Sequence, residues 1–168
     1  MRVRRASLQG FALPLARPLE TAHEIVRRRR GWLVELEGDG GVRGYGEASP
    51  LPAFGTERPA ACLRELRRAC EGLVVGEGFA HDTVTGANVG TPCALAAIET
   101  ALCDLQARAR GISMVRNLVD DPGNPRALEQ PVSSQALISG IGPREVEVQA
   151  RAASEAGFDA FKLKLAVT

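Results

Sequence analysis

The last third of the sequence carries the pattern that most constrains the fold: an apolar segment, an amphipathic segment and a second apolar segment. Residues 131–137 read as a strand, Pro143 begins a helical pattern that Gly157 ends, and residues 160–165 read as a second strand. A strand, a helix and a strand in this order predict two parallel strands. Because two parallel strands are not a stable sheet by themselves, we expect the opening of something larger, such as a barrel.

The first 48 residues predict an antiparallel sheet. Residues 3–12 form a plausible first strand, residues 32–37 alternate between apolar and polar side chains, and residues 42–48 return after the turn signal Asp39-Gly40. Residues 14–30 are predicted to be a long polar loop, and loops of this length are often functional.

Two helices are predicted after the sheet. Thr56 is a natural N-cap for the first, and Thr91 and Pro92 begin a second that ends before Gly111. Alanines crowd the second helix, which predicts close packing against a neighbour. The sequence thus predicts a first domain of strands and helices over residues 1–125 and the start of a larger β-α-β structure over residues 126–168.

Composition excludes some functions and singles out one residue type. The net charge is +1, so no overall field favours nucleic acid or an anionic membrane, and no apolar run reaches the roughly 18 residues of a membrane helix. The run Arg27–Arg30 is interpreted as a solvated face or a site for an anionic substrate. Of the 21 Lys and Arg residues only Lys162 and Lys164 are lysines, and a lysine can lose its proton whereas an arginine cannot. Four cysteines without a metal-binding spacing predict buried thiols in a reducing cytoplasm: Cys62, Cys70, Cys93 and Cys103.

The two lysines alternate with Phe161, Leu163 and Leu165, so they share one face of the predicted strand. The pattern fits an edge strand with a polar outer face as well as a barrel strand with the lysines inside. Inside a barrel, each ammonium group disfavours the charge of the other, which favours the neutral amine of a general base. Such a base can remove a proton next to a carboxylate, and the resulting enolate predicts a divalent metal.

Three segments resemble one known family. They resemble, in the family's order, the G-x-G-E-x-S-P-L-P-G-F-S-x-E segment, the A-x-x-A-I-E-x-A-L-x-D-L helix and the G-F-x-x-x-K-x-K strand of the o-succinylbenzoate synthases, which belong to the muconate-lactonizing subgroup of the enolase superfamily. The segments here are residues 44–57, 94–105 and 157–164.

The resemblance implies an α+β capping domain, with a three-stranded antiparallel sheet plus helices, followed by the first β-α-β unit of a truncated (β/α) barrel. Two loops of the cap, around 17–30 and 49–56, would cover the barrel mouth. The family's catalytic roles would fall on Lys164 as the base and Lys162 as its electrostatic support. Substrate-binding candidates are Pro52, Phe54 and Gln135.

The resemblance also implies Mg²⁺, bound by three carboxylates on later barrel strands, and a further lysine opposite the K-x-K pair. We expect the three carboxylates and this lysine beyond residue 168. This chain would then carry no metal ligand, and the fragment alone would be inactive. The implied activity is a metal-dependent dehydration of a small-molecule carboxylate in menaquinone biosynthesis. Three alternatives stay open: a dipeptide epimerase or an N-acylamino acid racemase of the same subgroup, and an inactive truncated product or interaction module. The Ser-Pro-Leu-Pro-x-Phe loop favours the synthase, and the oligomeric state stays open.

Overall fold

The computed structural model describes residues 2–20, 24–76, 90–118, 132–139 and 142–164. These residues divide into two compact units, one over residues 1–122 and one over residues 123–168. None of the helices in the described ranges has the length and apolar character that a membrane span requires.

The first unit contains a three-stranded antiparallel sheet in the order β1-β2-β3, which confirms the prediction. The strands are β1 (Val3–Glu20), β2 (Ile25–Gly38) and β3 (Arg43–Ala48). A 3-10 turn, Asp39–Gly41, joins β2 to β3, and Gly40 has a φ of 74° there, a conformation that favours glycine. The prediction of a turn at Asp39-Gly40 is therefore confirmed.

The prediction of a loop over residues 14–30 is wrong. β1 and β2 continue into this region, pairing Pro14 with Arg28 and Glu20 with Ile25 across a register shift between Pro14 and Leu19. Residues 14–20 and 25–30 lack the apolar alternation that marks a half-buried strand, and most of their described side chains are exposed on both faces of the hairpin. Backbone pairing extends the hairpin instead, and residues 21–23 lie outside the described ranges.

Three helices follow among the described residues of the first unit: α1 (Pro59–Val75), α2 (Pro92–Ala109) and the short α3 (Met114–Leu118). α1 and α2 pack on one face of the sheet to form the core. Its buried members are Val3, Val34, Leu36, Ala48, Cys62, Leu66, Ala69, Cys70, Leu73, Ala94, Ala97, Ile98, Ala101 and Leu105. Ala94, Ala97 and Ala101 of α2 are buried, as the crowding of alanines predicted.

The close approach of α2 to β3 depends on two glycines. A Cβ atom on Gly46 would lie 1.9 Å from the carbonyl oxygen of Ala97, and one on Gly44 would lie 2.3 Å from that of Ala101. Neither distance is physically possible, so only glycine allows the helix to lie against the strand at these two positions.

Over its described residues, 132–139 and 142–164, the second unit contains β4 (Ala136–Ser139), α4 (Pro143–Glu155) and β5 (Phe161–Lys164). β4 and β5 are parallel, which confirms the β-α-β prediction. β4 begins later than predicted: residues 132–135 have no regular structure, and Pro131 lies outside the described residues.

Candidate active site

The lysine strand β5 is held in register beside β4. Lys162 pairs with Leu137, and Lys164 pairs with Ser139, so the two lysines occupy alternate positions of one strand. The Lys162 side chain is exposed, whereas the Lys164 side chain lies outside the part of the chain that the structure describes.

The turn that leads into β5 is fixed by a helix C-cap. Gly157 has a φ of 93°, and its N–H donates to the carbonyl oxygen of Ser154 at 3.0 Å. The N–H of Phe158 donates to the carbonyl oxygen of Ala153 at 3.1 Å, which completes a Schellman motif. The glycine in the G-F-x-x-x-K-x-K segment thus ends α4 and directs the chain into the lysine strand.

Gln149 of α4 holds the end of β4. Its Nε2 donates to the carbonyl oxygen of Ser139 at 2.6 Å, and its Oε1 accepts from the Ser139 N–H at 3.1 Å. Because Ser139 is the register partner of Lys164, this amide fixes the backbone beside the candidate base. The sequence analysis missed Gln149, since a glutamine on a helix carries no signal of a two-bond contact with a strand.

The apolar side chains of β5 are only partly covered. Phe161 is 44% exposed and Leu163 is 48% exposed, whereas Ile138 on β4 is only 3% exposed. α4 packs against β4, so within the described residues the burial lies on that strand. Gln135, predicted on the first barrel strand, is exposed and lies one residue before β4 begins.

The Ser-Pro-Leu-Pro-x-Phe loop, residues 49–54, is fixed by its own backbone. Pro52–Phe54 forms a 3-10 turn, in which the N–H of Phe54 donates to the Leu51 carbonyl oxygen at 2.8 Å. Thr56 was predicted to cap α1, and this is wrong: Arg58 precedes the helix, and the Thr56 Oγ1 accepts instead from the Leu51 N–H at 2.6 Å. The turn brings Pro52 and Phe54 together, with Phe54 54% exposed.

Both ends of this loop are anchored to the sheet and to α2. At the first end, the Arg29 guanidinium donates to the Ser49 carbonyl oxygen. At the second end, the Glu57 carboxylate accepts from the N–H of Ala94 at 2.9 Å and from the N–H of Cys93 at 3.2 Å. These N–H groups belong to the first turn of α2, where a helix offers them no acceptor of its own, and the side chain of Thr91 does not cap them. Glu57 therefore joins the loop to the helix 37 residues further along the chain.

The electrostatics around Glu57 keep it charged. Glu57 is only 7% exposed, and burial alone would raise its pKa, but hydrogen bonds from backbone N–H groups outweigh burial and lower it. Burial raises the pKa of the Cys62 thiol to about 12, and the Glu57 carboxylate beside it adds to the effect. Cys62 is therefore an inert buried thiol and no nucleophile.

The other cysteines agree with this interpretation. Burial raises the pKa of Cys70 to about 11 and also raises the pKa of Cys93. All four cysteines are free thiols, with Cys62 and Cys70 buried and the other two, Cys93 and Cys103, half-buried.

The described residues do not fit a metal ion. Nowhere in the described ranges do three or more His, Cys, Asp or Glu side chains come together in a way that could hold one. The structure thus brings together Pro52 with Phe54 in the first unit and positions Lys162 and Lys164 on one strand of the second.

Two kinds of enzyme are among the relatives that match this chain in sequence: o-succinylbenzoate synthases and dipeptide epimerases. The o-succinylbenzoate synthase of Bacillus subtilis (strain 168) is 27% identical over 122 residues, covering 69% of this chain and 33% of its own length. The hydrophobic dipeptide epimerase of Citrifermentans bemidjiense is 30% identical over 156 residues, covering 90% of this chain and 42% of its own. The chain therefore spans between 33% and 42% of the length of these two curated relatives.

Solved structures share the fold across almost the whole chain. The substrate-liganded L-Ala-D/L-Glu epimerase from Bacillus subtilis superposes with a TM-score of 0.78 at 21% identity, covering 98% of this chain and 45% of its own. The o-succinylbenzoate synthase from Thermosynechococcus elongatus BP-1, complexed with Mg in its active site, gives a TM-score of 0.62 at 23% identity, covering 98% of this chain and 43% of its own. These likenesses confirm the expected fold, that of the enolase superfamily with its N-terminal capping domain.

A protein-family model described as the N-terminal domain of MenC matches residues 3–98, which is more than half of the 168 residues. The match covers the whole antiparallel sheet, the loop that carries Pro52 and Phe54, and the start of α2. The chain therefore belongs to the MenC N-terminal domain family of the enolase superfamily.

Proposed function

We propose that this chain is the N-terminal part of an o-succinylbenzoate synthase, with a capping domain over residues 1–125 and the start of the barrel over residues 126–168. The observation that carries the proposal is the pair Lys162 and Lys164, two residues apart on a strand parallel to β4 and attached to a MenC-type domain. The intact enzyme would act in the cytoplasm, in menaquinone biosynthesis, as a carbon–oxygen lyase.

The proposed reaction gives each lysine a different role. Lys164 removes the proton from the carbon next to a substrate carboxylate, and hydroxide leaves from the adjacent carbon as the new double bond forms. Lys162, two positions earlier, disfavours a positive charge on Lys164 and so favours the neutral amine that accepts the proton. Pro52 and Phe54 would close over the substrate, and Gln135 would contact it.

Mg²⁺ is part of the proposal for the intact enzyme. When bound, it would stabilise the negative charge that develops on the substrate carboxylate. The described residues of this chain supply no ligand set for it, so we assign it no residue and derive no step through it.

Dipeptide epimerisation is the second candidate, favoured by the similarity to the Citrifermentans bemidjiense epimerase over 90% of this chain. It begins with the same proton removal, but the proton returns to the opposite face and nothing leaves. An N-acylamino acid racemase would act in the same way on a different substrate. The two reaction types differ in product, so one assay distinguishes them.

The test begins with the coding DNA after codon 168. If the reading frame continues, the complete product is expressed and assayed with Mg²⁺ for dehydration of a cyclohexadiene carboxylate to o-succinylbenzoate and for epimerisation of dipeptides, with Lys164→Ala as the control. We expect dehydration that Lys164→Ala abolishes. Epimerisation or racemisation without dehydration would replace the synthase by the second candidate.

The 168-residue chain itself is assayed beside it. We expect no turnover above that of its Lys164→Ala variant. Turnover by the short chain would contradict the assignment of the missing catalytic groups to later strands. A stop codon after residue 168, without a complementing half nearby, would favour the inactive product or interaction module.

A further inference from the structure

Glu57 is the one polar or charged residue that is buried among the residues that the structure describes, at 7% exposure. Its carboxylate oxygens accept from the N–H groups of Cys93 and Ala94 in the first turn of α2. Burying a carboxylate is costly, whereas a neutral serine, threonine or asparagine side chain can cap a helix. The need for a cap on α2 therefore does not by itself account for a buried carboxylate at this place.

The N-terminus of α2 has a local residue that is suited to cap it. Thr91 stands at the N-cap position, and threonine is among the preferred N-cap residues, yet its side chain makes no capping hydrogen bond. The cap comes instead from a residue 37 positions before Ala94, at the end of the loop over residues 49–56. The hydrogen bonds of Glu57 thus connect this loop to α2, which a cap by Thr91 would not do.

The loop over residues 49–56 is also held at its other end and within itself. The Arg29 guanidinium donates to the Ser49 carbonyl oxygen, and the N–H of Leu51 donates to the Thr56 Oγ1 at 2.6 Å. Phe54 lies between these contacts and is nevertheless 54% exposed. Fixing an exposed aromatic side chain before a ligand binds lowers the entropy that binding costs. The loop is therefore built to present Phe54 in one position.

We propose that Glu57 is a positioning residue for substrate binding: its hydrogen bonds to α2 hold the loop over residues 49–56 in the conformation in which Pro52 and Phe54 contact the substrate. This rests on the proposed function in one respect, the role of Pro52 and Phe54 as substrate contacts. Glu57 itself neither contacts the substrate nor transfers a proton. Since a loop that is ordered for part of the time binds with an affinity reduced by that fraction, Glu57 acts on substrate affinity and not on the chemical step.

Glu57→Gln tests this with the smallest change in shape. The amide replaces one carboxylate oxygen by a nitrogen that cannot accept, so one N–H group of α2 loses its acceptor and the other hydrogen bond loses its charge. The readout on the 168-residue protein is NMR amide exchange of Leu51, Phe54 and Gly55, whose N–H groups donate within the loop. We expect these three amides to exchange at least about tenfold faster, the effect of losing one hydrogen bond to a charged group.

Two control variants separate an effect on the loop from a loss of stability. Leu73→Ala removes a buried side chain in the last turn of α1, roughly 20 Å along the helix from its first residue, and should destabilise the first unit at least as much. Because the loop amides exchange through local opening, Leu73→Ala should leave their exchange unchanged. Glu99→Gln makes the same chemical change on the exposed face of α2 and should also leave it unchanged.

The complete enzyme gives a second readout, the separation of KM from kcat. Glu57→Gln should raise KM by at least about threefold and leave kcat within about twofold of the original value, whereas Leu73→Ala should change neither. KM is measured with whichever substrate the complete product converts, the cyclohexadiene carboxylate or a dipeptide. Failure of the synthase assignment therefore leaves this test intact, and amide exchange in the 168-residue protein does not depend on any turnover.

Three results would overturn the proposal. The first is faster exchange in the first turns of α1 and α2 with unchanged exchange at Leu51, Phe54 and Gly55, which would make Glu57 a connection between the two helices only. The second is an equal effect of Leu73→Ala on the three loop amides, which would trace the effect to lost stability. The third is an unchanged KM of Glu57→Gln in the complete enzyme, with or without a lower kcat, which would remove the connection to substrate binding.

Discussion

The two units of the chain obtain their order in different ways. Residues 1–122 contain every buried hydrophobic side chain of the described residues except Ile138, in a core between a three-stranded sheet and two helices. In the second unit, the described residues contain two four-residue strands and one helix, and the side chains of Phe161 and Leu163 are about half-exposed. In the second unit, backbone pairing, a Schellman motif and the Gln149 contact hold the lysine strand. The comparison teaches that hydrogen bonds between neighbouring elements hold the strand of the candidate catalytic lysines, whereas a buried apolar core holds the first unit together.

The largest difference should be seen in amide hydrogen exchange of the intact 168-residue chain. We expect the amides of β2 and β3 to exchange about a thousandfold more slowly than those of β4 and β5, because opening the second unit exposes little apolar surface. Exchange measured by mass spectrometry or NMR, together with limited proteolysis, checks this. Equal protection of the two units would remove the basis of the comparison.

Gly46→Ala should destabilise the first unit by about 3 kcal/mol or more, because its Cβ atom would overlap the Ala97 carbonyl oxygen at 1.9 Å. Urea unfolding followed by far-UV circular dichroism measures the loss. Gly10→Ala is the matched control on β1, since its Cβ atom would meet only Trp32 at 3.7 Å. If both variants unfold at the same urea concentration, the close approach of α2 to β3 does not support the core.

Glu57→Gln should cost about 1–3 kcal/mol at neutral pH, because the carboxylate accepts two buried backbone N–H groups of α2. The pKa of Glu57 lies below its ordinary value of 4.5. Its contribution to the free energy of unfolding is therefore complete above pH 4.5 and is lost as the pH falls through the lowered pKa.

The measurement is urea unfolding of both proteins as a function of pH, with Glu99→Gln on the exposed face of α2 as the control. The stability difference between the original protein and Glu57→Gln should shrink as the pH falls below 4.5. A difference that stays constant with pH would show that the charge of Glu57 does not contribute.

Gln149→Ala should have the smallest of these effects, about 1 kcal/mol, and it should be confined to the second unit. The variant loses both hydrogen bonds to Ser139, so the amides of β4 should exchange faster while those of β2 are unchanged. Arg151→Ala on the same helix removes only an exposed ion pair with Glu147 and should change little. Equal effects of the two variants would show that the Gln149 contact does not fix the strand.

The fold could be predicted from the sequence to the extent that its signals are local. Pro92 marked the start of α2, Gly111 and Gly157 marked helix ends, and Asp39-Gly40 marked a hairpin turn, all in agreement with the structure. Each signal works through the conformational limits of one residue and its immediate neighbours. The extension of β1 and β2 could not be predicted, because residues 14–20 and 25–30, which form it, show no apolar alternation in the sequence.

The candidate site divides in the same way. The positions of Lys162 and Lys164 on one strand, and of Pro52 and Phe54 in one loop, could be predicted from spacing and from the family resemblance. Their roles in catalysis and substrate binding stay predictions. Gln149 could not be found in this way, because its hydrogen bonds reach a residue on another element.

The sequence by itself determined the kinds of element, their order and the pair of lysines two residues apart. Only the tertiary structure decided that Glu57, and not Thr91, satisfies the first N–H groups of α2, that Gly44 and Gly46 are there to admit the helix, and that Arg29 anchors the loop at Ser49. The physical reason is the range of the interactions. Backbone conformation and side-chain periodicity depend on neighbours in the chain, whereas a cap, a close contact and a loop anchor depend on segments that meet only after the chain has folded.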